Sequence, residues 1–105
     1  MRTSRPKSPA IKFLEKITGG PLTFARLMES MRLCEEMSQA DFAKLLGISK
    51  SHLCDIEKGR KSVSPKRAAS FARTLGYPED QFVKFAMDAM LEQDGLKYKV
   101  ELVAA

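Results

Sequence analysis

The stretch SQADFAKLLGISKSHLCDIEKG, residues 38–59, decides the fold that this sequence predicts. Ser38 and Ser49 each stand where a serine hydroxyl can cap the N-terminus of a short helix. Gly47 lies where the first helix has to end, because glycine takes the left-handed conformation of a helix C-terminus without steric cost. Gly59 ends the second helix. The segment therefore predicts two short helices joined by a tight turn.

The small and apolar residues of this segment predict that the two helices cross closely. Ala43 permits the close crossing, since a larger side chain would push the helices apart. Ile48 fills the corner after the turn, and Leu53 and Ile56, one helical step apart, face inward. The apolar residues of the first helix also have helical spacing: Phe42, Leu45 and Leu46. The residues that remain on the outer or leading side of the second helix are polar: Lys50, Ser51, His52 and Asp55. This arrangement is typical of a helix-turn-helix, whose second helix enters the DNA major groove.

Extended to Lys61, the segment SQADFAKLLGISKSHLCDIEKGRK resembles the helix-turn-helix of the Cro and phage-repressor class, known as the XRE type. The matching pattern is Ser-Gln, Ala, Gly-Ile-Ser and Ile-Glu-Lys-Gly. Helices before and after the segment extend the resemblance to about residues 22–76. The alternative interpretation of the same residues is an ordinary helical hairpin.

Helix signals on both sides of the motif predict an all-α, five-helix repressor-type domain over residues 22–95. Thr23 is suited to cap a helix that precedes the motif and runs to about residue 37. Ser64 is suited to cap a helix that follows it, with a proline at the first helical position and Gly76 at its end. Pro78 and the two acidic residues after it open the last helix, because acidic side chains are favourable near a helix N-terminus.

The last helix and the tail, residues 96–105, are predicted to associate with another chain. The helix is apolar around much of its girth, and apolar residues in the tail alternate with charged ones, as in a half-buried strand. A single strand in an all-helical domain has no partner for its backbone groups. A second copy of the tail or a sheet edge in another protein would supply that partner, and a homodimer is the simpler choice. The residues expected in this surface are Phe82, Phe85, Leu96, Tyr98, Val100 and Leu102.

Residues 1–21 are predicted to form a flexible N-terminal arm. Arginine, proline and serine dominate the first nine residues, which cannot form a core. A short apolar cluster follows and ends at Gly19-Gly20-Pro21, a strong helix breaker. This cluster either packs on its own domain or folds on a protein partner. Its apolar residues are Ile11, Phe13, Leu14 and Ile17.

The positive charge of the chain is concentrated near the motif. The 105 residues, enough for one small domain, carry a formal net charge of +5. Residues 1–16 hold five basic residues and one acidic residue, and residues 49–73 hold seven and two. From residue 74 onward, three basic residues stand against six acidic ones. Because the excess of cations coincides with the second motif helix and the loop after it, an anionic partner is predicted.

Contacts with DNA phosphates are predicted at both ends of the motif. Gln39 begins the first motif helix and, as the resemblance implies, is placed to donate to a phosphate. The cations expected to neutralise further backbone phosphates are Lys58, Arg60 and Lys61. The resemblance also implies an ion pair between Arg32 and Glu57, the alternative being that Arg32 is an ordinary surface residue.

Base reading is assigned to the leading face of the second motif helix. Lys50 would donate to guanine O6 and N7, Ser51 to several base edges, and Asp55 would accept from cytosine N4. His52 either contacts a phosphate or a base, or has no special role. The class often has glutamine at positions 50 and 51, so the target sequence does not follow from the resemblance. The complete set of expected DNA contacts is Gln39, Ser49, Lys50, Ser51, His52, Asp55, Lys58, Arg60 and Lys61.

The whole layout resembles HigA-type antitoxins of bacterial toxin–antitoxin operons. That resemblance implies a repressor that binds a double-stranded DNA operator as a homodimer and also neutralises an mRNA-cleaving toxin of the RelE fold. Ile11, Phe13, Leu14 and Ile17 are then the expected toxin contacts, since the DNA motif has no use for them. The alternative is a plain dimeric XRE-type regulator without a toxin partner.

The inventory of reactive residues does not favour an enzyme. One histidine, no Ser/His/Asp grouping, no glycine-rich phosphate loop and no metal-ligand cluster leave no catalytic site, cofactor site or metal site to expect. The two cysteines lack metal spacing and a CxxC pattern, so reduced thiols are expected. No apolar run approaches a signal-peptide core or membrane span, and a cytoplasmic protein without a membrane partner is expected.

Overall fold

Helices account for most of residues 22–105, the part of the chain that the computed structural model describes. In chain order they are α1 (Phe24–Cys34), α2 (Gln39–Leu46), α3 (Lys50–Glu57), α4 (Pro65–Leu75) and α5 (Glu79–Gln93). The predicted arm, residues 1–21, lies outside the described residues. So do the expected toxin contacts Ile11, Phe13, Leu14 and Ile17. Within the described part, none of the helices has the length and apolar character needed to cross a membrane.

Four of the five helices begin at the capping residues that the sequence predicts. The hydroxyls of Thr23, Ser38, Ser49 and Ser64 each accept a hydrogen bond from the backbone N–H three residues later. α5 begins after Pro78 without a side-chain cap, with two acidic residues in its first turn. α1 ends at Cys34, three residues earlier than expected, and the turn that follows holds Glu36 at a positive φ of 55°.

The core lies where all five helices meet. α3 packs on α1 and α2, while α5 packs on α4 and α1. Each helix contributes at least one fully buried side chain to this core: Leu27 and Met28 from α1, Phe42 from α2, Leu53 from α3, Ala68 from α4 and Phe82 from α5. Ala43 is also buried, as the close crossing of α2 and α3 requires. Leu45, in contrast, is exposed, although it belongs to the same apolar set as Phe42 and Leu46.

Phe82 and Phe85 lie inside this core and not on an association surface. The ring of Phe82 meets the ring of Phe24 edge to face, with centroids 6.0 Å apart. Both Phe82 and Phe85 are buried within the single chain. The expectation that they face a second protomer is corrected here, because α1 and α4 cover the side of α5 that carries them.

The expected strand in the tail is not formed, and the described part of the chain contains no strand at all. Gly95, at a φ of 76°, turns the chain after α5, and the backbone N–H of Leu96 donates to the Leu91 carbonyl at 2.9 Å. Further on, the N–H of Val100 donates to Oδ1 of Asp88 at 2.6 Å. The tail therefore lies back against α5 as irregular chain, because an α5 carboxylate and not a partner strand satisfies that amide.

Candidate nucleic-acid interface

The turn between α2 and α3 is built by local hydrogen bonds around one glycine. Gly47 has φ 76° and ψ 28°, and its N–H donates to the Lys44 carbonyl at 3.2 Å. The N–H of Ile48 donates to the Ala43 carbonyl at 3.0 Å, and its side chain packs on the core. An L-residue at position 47 would be strained in this conformation. The bend predicted at this glycine is confirmed.

α3 divides into a buried side and an exposed side. Leu53 and Ile56 are buried in the core, as their spacing predicts. Lys50 and Ser51, in its first turn, are exposed, while His52 and Asp55 are half-buried. No acidic residue stands in that first turn, so the partial positive charge of the helix N-terminus is not offset there. The polar leading edge predicted for the second motif helix is therefore present.

The carboxylate of Glu57, the last residue of α3, connects the ends of three helices. Arg32 from α1 donates to it twice, from Nε to Oε2 at 2.8 Å and from Nη2 to Oε1 at 3.1 Å. The same guanidinium donates from Nη1 to the Met37 carbonyl at 3.1 Å. Hydrogen bonding to Glu57, followed by its charge, raises the pKa of Arg32 above its ordinary value. The ion pair implied by the resemblance is thus confirmed.

Gln39 belongs to this same network. Its Nε2 donates to Oε1 of Glu57 at 3.0 Å, whereas the sequence led us to expect a phosphate contact. An amide nitrogen carries two hydrogens, so one donor remains after this bond is made. Glu57 therefore fixes the orientation of the amide without using all of its capacity.

Asp55 holds the cations of the loop that follows α3. Its Oδ1 accepts from Nε of Arg60 at 2.9 Å, and its Oδ2 lies 3.7 Å from Nζ of Lys61. The hydrogen bond from Arg60 is the main cause that lowers the pKa of Asp55, and the charge of Lys61 adds to it. The sequence assigned Asp55 to a base and the two cations to phosphates. The structure brings the three together, so Asp55 already has partners where a cytosine contact was expected.

Two cations outside the predicted set of DNA contacts lie close to α3. Arg67, in the first turn of α4, places Nη1 3.3 Å from Nδ1 of His52, and Lys66 precedes it. Both belong to the basic stretch 49–73, so the charge count contained them. What the sequence lacked was the signal that the first turn of α4 approaches the first turn of α3.

Several cations around α3 remain without a carboxylate partner within the described part of the chain. Salt bridges are formed there by Arg60 and Lys61, with Asp55. The cations near α3 that form none are Lys50, Lys58, Lys66 and Arg67. These cations lie on the motif helix, on the loop that follows it and at the start of α4. Unpaired, exposed cations in this arrangement suit a polyanion.

Comparisons with known proteins agree with this geometry. A family model described as helix-turn-helix matches residues 30–82, just over half of the chain, from the second half of α1 to the start of α5. No curated protein and no solved structure gives a significant match.

The Arg32–Glu57 pair yields a stability prediction. Arg32→Met is expected to lower the free energy of unfolding by about 3–5 kcal/mol, because it leaves a buried carboxylate without its cation. The side chain of Glu57 is only 2% exposed, and that of Arg32 is 14% exposed. Denaturant unfolding followed by circular dichroism measures the loss.

Arg73→Met is the matched control. Arg73 pairs with Glu79 at 2.9 Å, but the two side chains are 58% and 49% exposed. Exposed pairs contribute about 0–1 kcal/mol, so this variant should unfold almost like the unaltered protein. Equal losses in the two variants would contradict the structural role given to Glu57.

Proposed function

The chain belongs to the XRE-type helix-turn-helix family, a family of DNA-binding transcriptional regulators, and we propose that it is a sequence-specific repressor that reads DNA with α3. The observation that carries this proposal is the division of α3 into a buried side and an exposed leading edge. Leu53, Ile56 and Glu57 are buried and fix the helix against the core. Lys50 and Ser51 stay exposed at its N-terminal end.

The dimensions of α3 suit the major groove. An α-helix with its side chains is roughly 10–12 Å across, and the groove of B-DNA is about 12 Å wide, so α3, with its eight residues, fits between the walls of the groove. Entering with its N-terminus, the helix brings Lys50 and Ser51 to the base edges and its uncompensated dipole toward the phosphates. His52, which is half-buried, follows them along the helix.

Phosphate contacts flank this helix in our proposal. Gln39 offers the amide hydrogen that Glu57 does not use. Lys58 has no carboxylate partner among the described residues and contributes a full positive charge. Arg60 and Lys61 contribute less, since each shares the charge of Asp55. These contacts supply sequence-independent affinity and set the register of α3 on the duplex.

This mode of binding predicts that substituting a base-contacting residue and substituting a phosphate-contacting residue have different effects. Lys50→Ala or Ser51→Ala should change the sequence enriched from a pool of random duplexes. Lys58→Ala should weaken binding to every duplex alike and lower the slope of log K against log salt concentration by about one unit. Sequencing of the selected duplexes measures the first effect, and fluorescence anisotropy at several salt concentrations measures the second.

The control for these variants is Arg73→Met, which removes one exposed positive charge from the end of α4, outside the proposed contacts, and should leave both sequence preference and salt slope unchanged. If Lys50→Ala and Lys58→Ala bind DNA like the unaltered protein, the interface lies elsewhere.

We further propose that the protein acts as a homodimer joined through the tail. Of the six exposed large hydrophobic residues in the described part, four lie at the end of α5 or in the tail: Met90, Leu96, Tyr98 and Val103. Exposed apolar residues that lie together favour an association surface, and these four are close to one another in sequence. A two-fold dimer would present two copies of α3 to half-sites about one helical turn apart on the DNA.

The dimer is tested by sedimentation of full-length variants. Leu96→Ala/Tyr98→Ala is expected to sediment as a monomer and to need a much higher concentration to occupy a two-half-site duplex. Leu33→Ala/Leu45→Ala removes two other exposed apolar residues, far from the tail in sequence, and it should remain dimeric. A dimeric Leu96→Ala/Tyr98→Ala variant would refute the assignment of the tail.

A finer proposal concerns the partner: the repressor is an antitoxin that neutralises an mRNA-cleaving toxin of the RelE fold and represses its own operon. The resemblance of the layout to HigA-type antitoxins supports it. So does the position of Ile11, Phe13, Leu14 and Ile17, which precede residues 30–82, the part that matches the family model. The alternative is a plain dimeric XRE-type regulator that has no toxin.

The two alternatives differ in a co-expression experiment. The product of the adjacent open reading frame should arrest growth when expressed alone, and the full chain should restore growth. Phe13→Ala/Leu14→Ala should fail to restore it while binding DNA normally, whereas Lys12→Ala/Lys16→Ala should restore it. A harmless neighbouring product would favour the plain regulator, and full rescue by Phe13→Ala/Leu14→Ala would move the toxin contact out of the arm.

A further inference from the structure

His52 and Arg67 form a contact that links the leading edge of α3 to α4. Nη1 of Arg67 lies 3.3 Å from Nδ1 of the imidazole. The backbone of His52 is held separately, since its N–H donates to Oγ of Ser49 at 3.0 Å. The backbone of His52 is therefore fixed by the cap of α3, and one nitrogen of its ring is contacted by a residue of the next helix.

The chemistry of the two groups decides which nitrogen of the imidazole carries the proton. A guanidinium has five N–H donors and no acceptor, so Arg67 can only donate. The contact is a hydrogen bond only when Nδ1 keeps its lone pair. In a neutral imidazole the proton then resides on Nε2, on the other side of the ring from Arg67.

We propose that Arg67 is a positioning residue for base recognition: it holds His52 in the tautomer that presents Nε2–H, so that α3 offers a donor at this point. A donor in the major groove selects an acceptor, such as purine N7, guanine O6 or thymine O4. It does not pair with the amino group of cytosine. This inference rests on the proposed reading of DNA by α3 and adds a specificity rule to it.

The same geometry separates this role from that of an ordinary phosphate-binding cation. Lys66 and Arg67 are neighbours in the first turn of α4, both are exposed, and both carry one positive charge. Of the two, Arg67 contacts His52. Substituting each by alanine removes one positive charge from the same helical turn, so a change confined to the Arg67 variant in the tautomer of His52, or in the preference at the position that His52 reads, reports the contact with the imidazole.

The first experiment is performed without DNA. His52 is the only histidine of the chain, so nitrogen-15 NMR of the imidazole, at mildly alkaline pH where imidazoles are neutral, gives one pair of signals. The full-length protein should show a protonated Nε2 and an unprotonated Nδ1. Arg67→Ala should increase the share of the Nδ1-protonated tautomer, and Lys66→Ala should not. A ring protonated at Nδ1 in the unaltered protein would overturn the proposal.

The second experiment measures sequence preference. The full-length protein and its His52→Ala, Arg67→Ala and Lys66→Ala variants each select from the same pool of random duplexes. His52→Ala should lose the preference for an acceptor-bearing base at one position of each half-site. Arg67→Ala should lower that preference roughly fivefold, the effect of about one hydrogen bond. Lys66→Ala should keep the preference and weaken all duplexes alike.

The outcomes distinguish this inference from the proposed function. If the unaltered protein selects a sequence and Arg67→Ala retains the full preference, Arg67 is only a phosphate-binding cation and the inference is overturned. The inference is also overturned if His52→Ala and Arg67→Ala change the base preference at two different positions of the half-site. The same holds if their effects on that preference are simply additive in the His52→Ala/Arg67→Ala double variant. If the unaltered protein selects no sequence at all, the proposed function itself fails.

Discussion

The buried carboxylate of Glu57 is the interaction on which the position of α3 depends. A charge removed from water is strongly unfavourable unless it is paired and hydrogen-bonded, and Glu57 obtains three hydrogen bonds from Arg32 and Gln39. Those donors come from the end of α1 and the start of α2, while Arg32 also closes the intervening turn at Met37. The charge can be satisfied only when all three helix ends are in place, so it selects one arrangement of the motif.

This arrangement explains how so short a helix can be held in a fixed direction. α3 has eight residues, and an isolated helix of that length is unstable in water. Its direction is set at its C-terminal end by Glu57 and on its inner side by Leu53 and Ile56. The exposed edge with Lys50 and Ser51 is not needed to hold the helix in place, so these two residues can serve recognition without a cost to folding.

Local signals made the fold predictable, and long-range pairings limited the prediction. Caps and helix ends depend on residues within one turn, so Ser38, Ser49 and Gly47 could be assigned from sequence. Whether α5 faced a partner or its own core depended on Phe24, almost sixty positions away. The alternation of the tail predicted a half-buried strand that is not formed, because alternation does not identify a partner strand, and Asp88 satisfies the amide of Val100 instead.

The candidate site shows the same limit at the level of single side chains. Residue type and spacing placed Asp55 and Arg60 at the interface, but their mutual hydrogen bond is a property of the folded loop. That bond has a consequence for recognition. A carboxylate within a cationic surface weakens the attraction to every duplex, so it lowers specific and non-specific affinity by a similar factor. Specificity is the ratio of these two affinities, and it therefore depends on the side chains that would reach the bases and not on the pairing of Asp55 with Arg60 and Lys61.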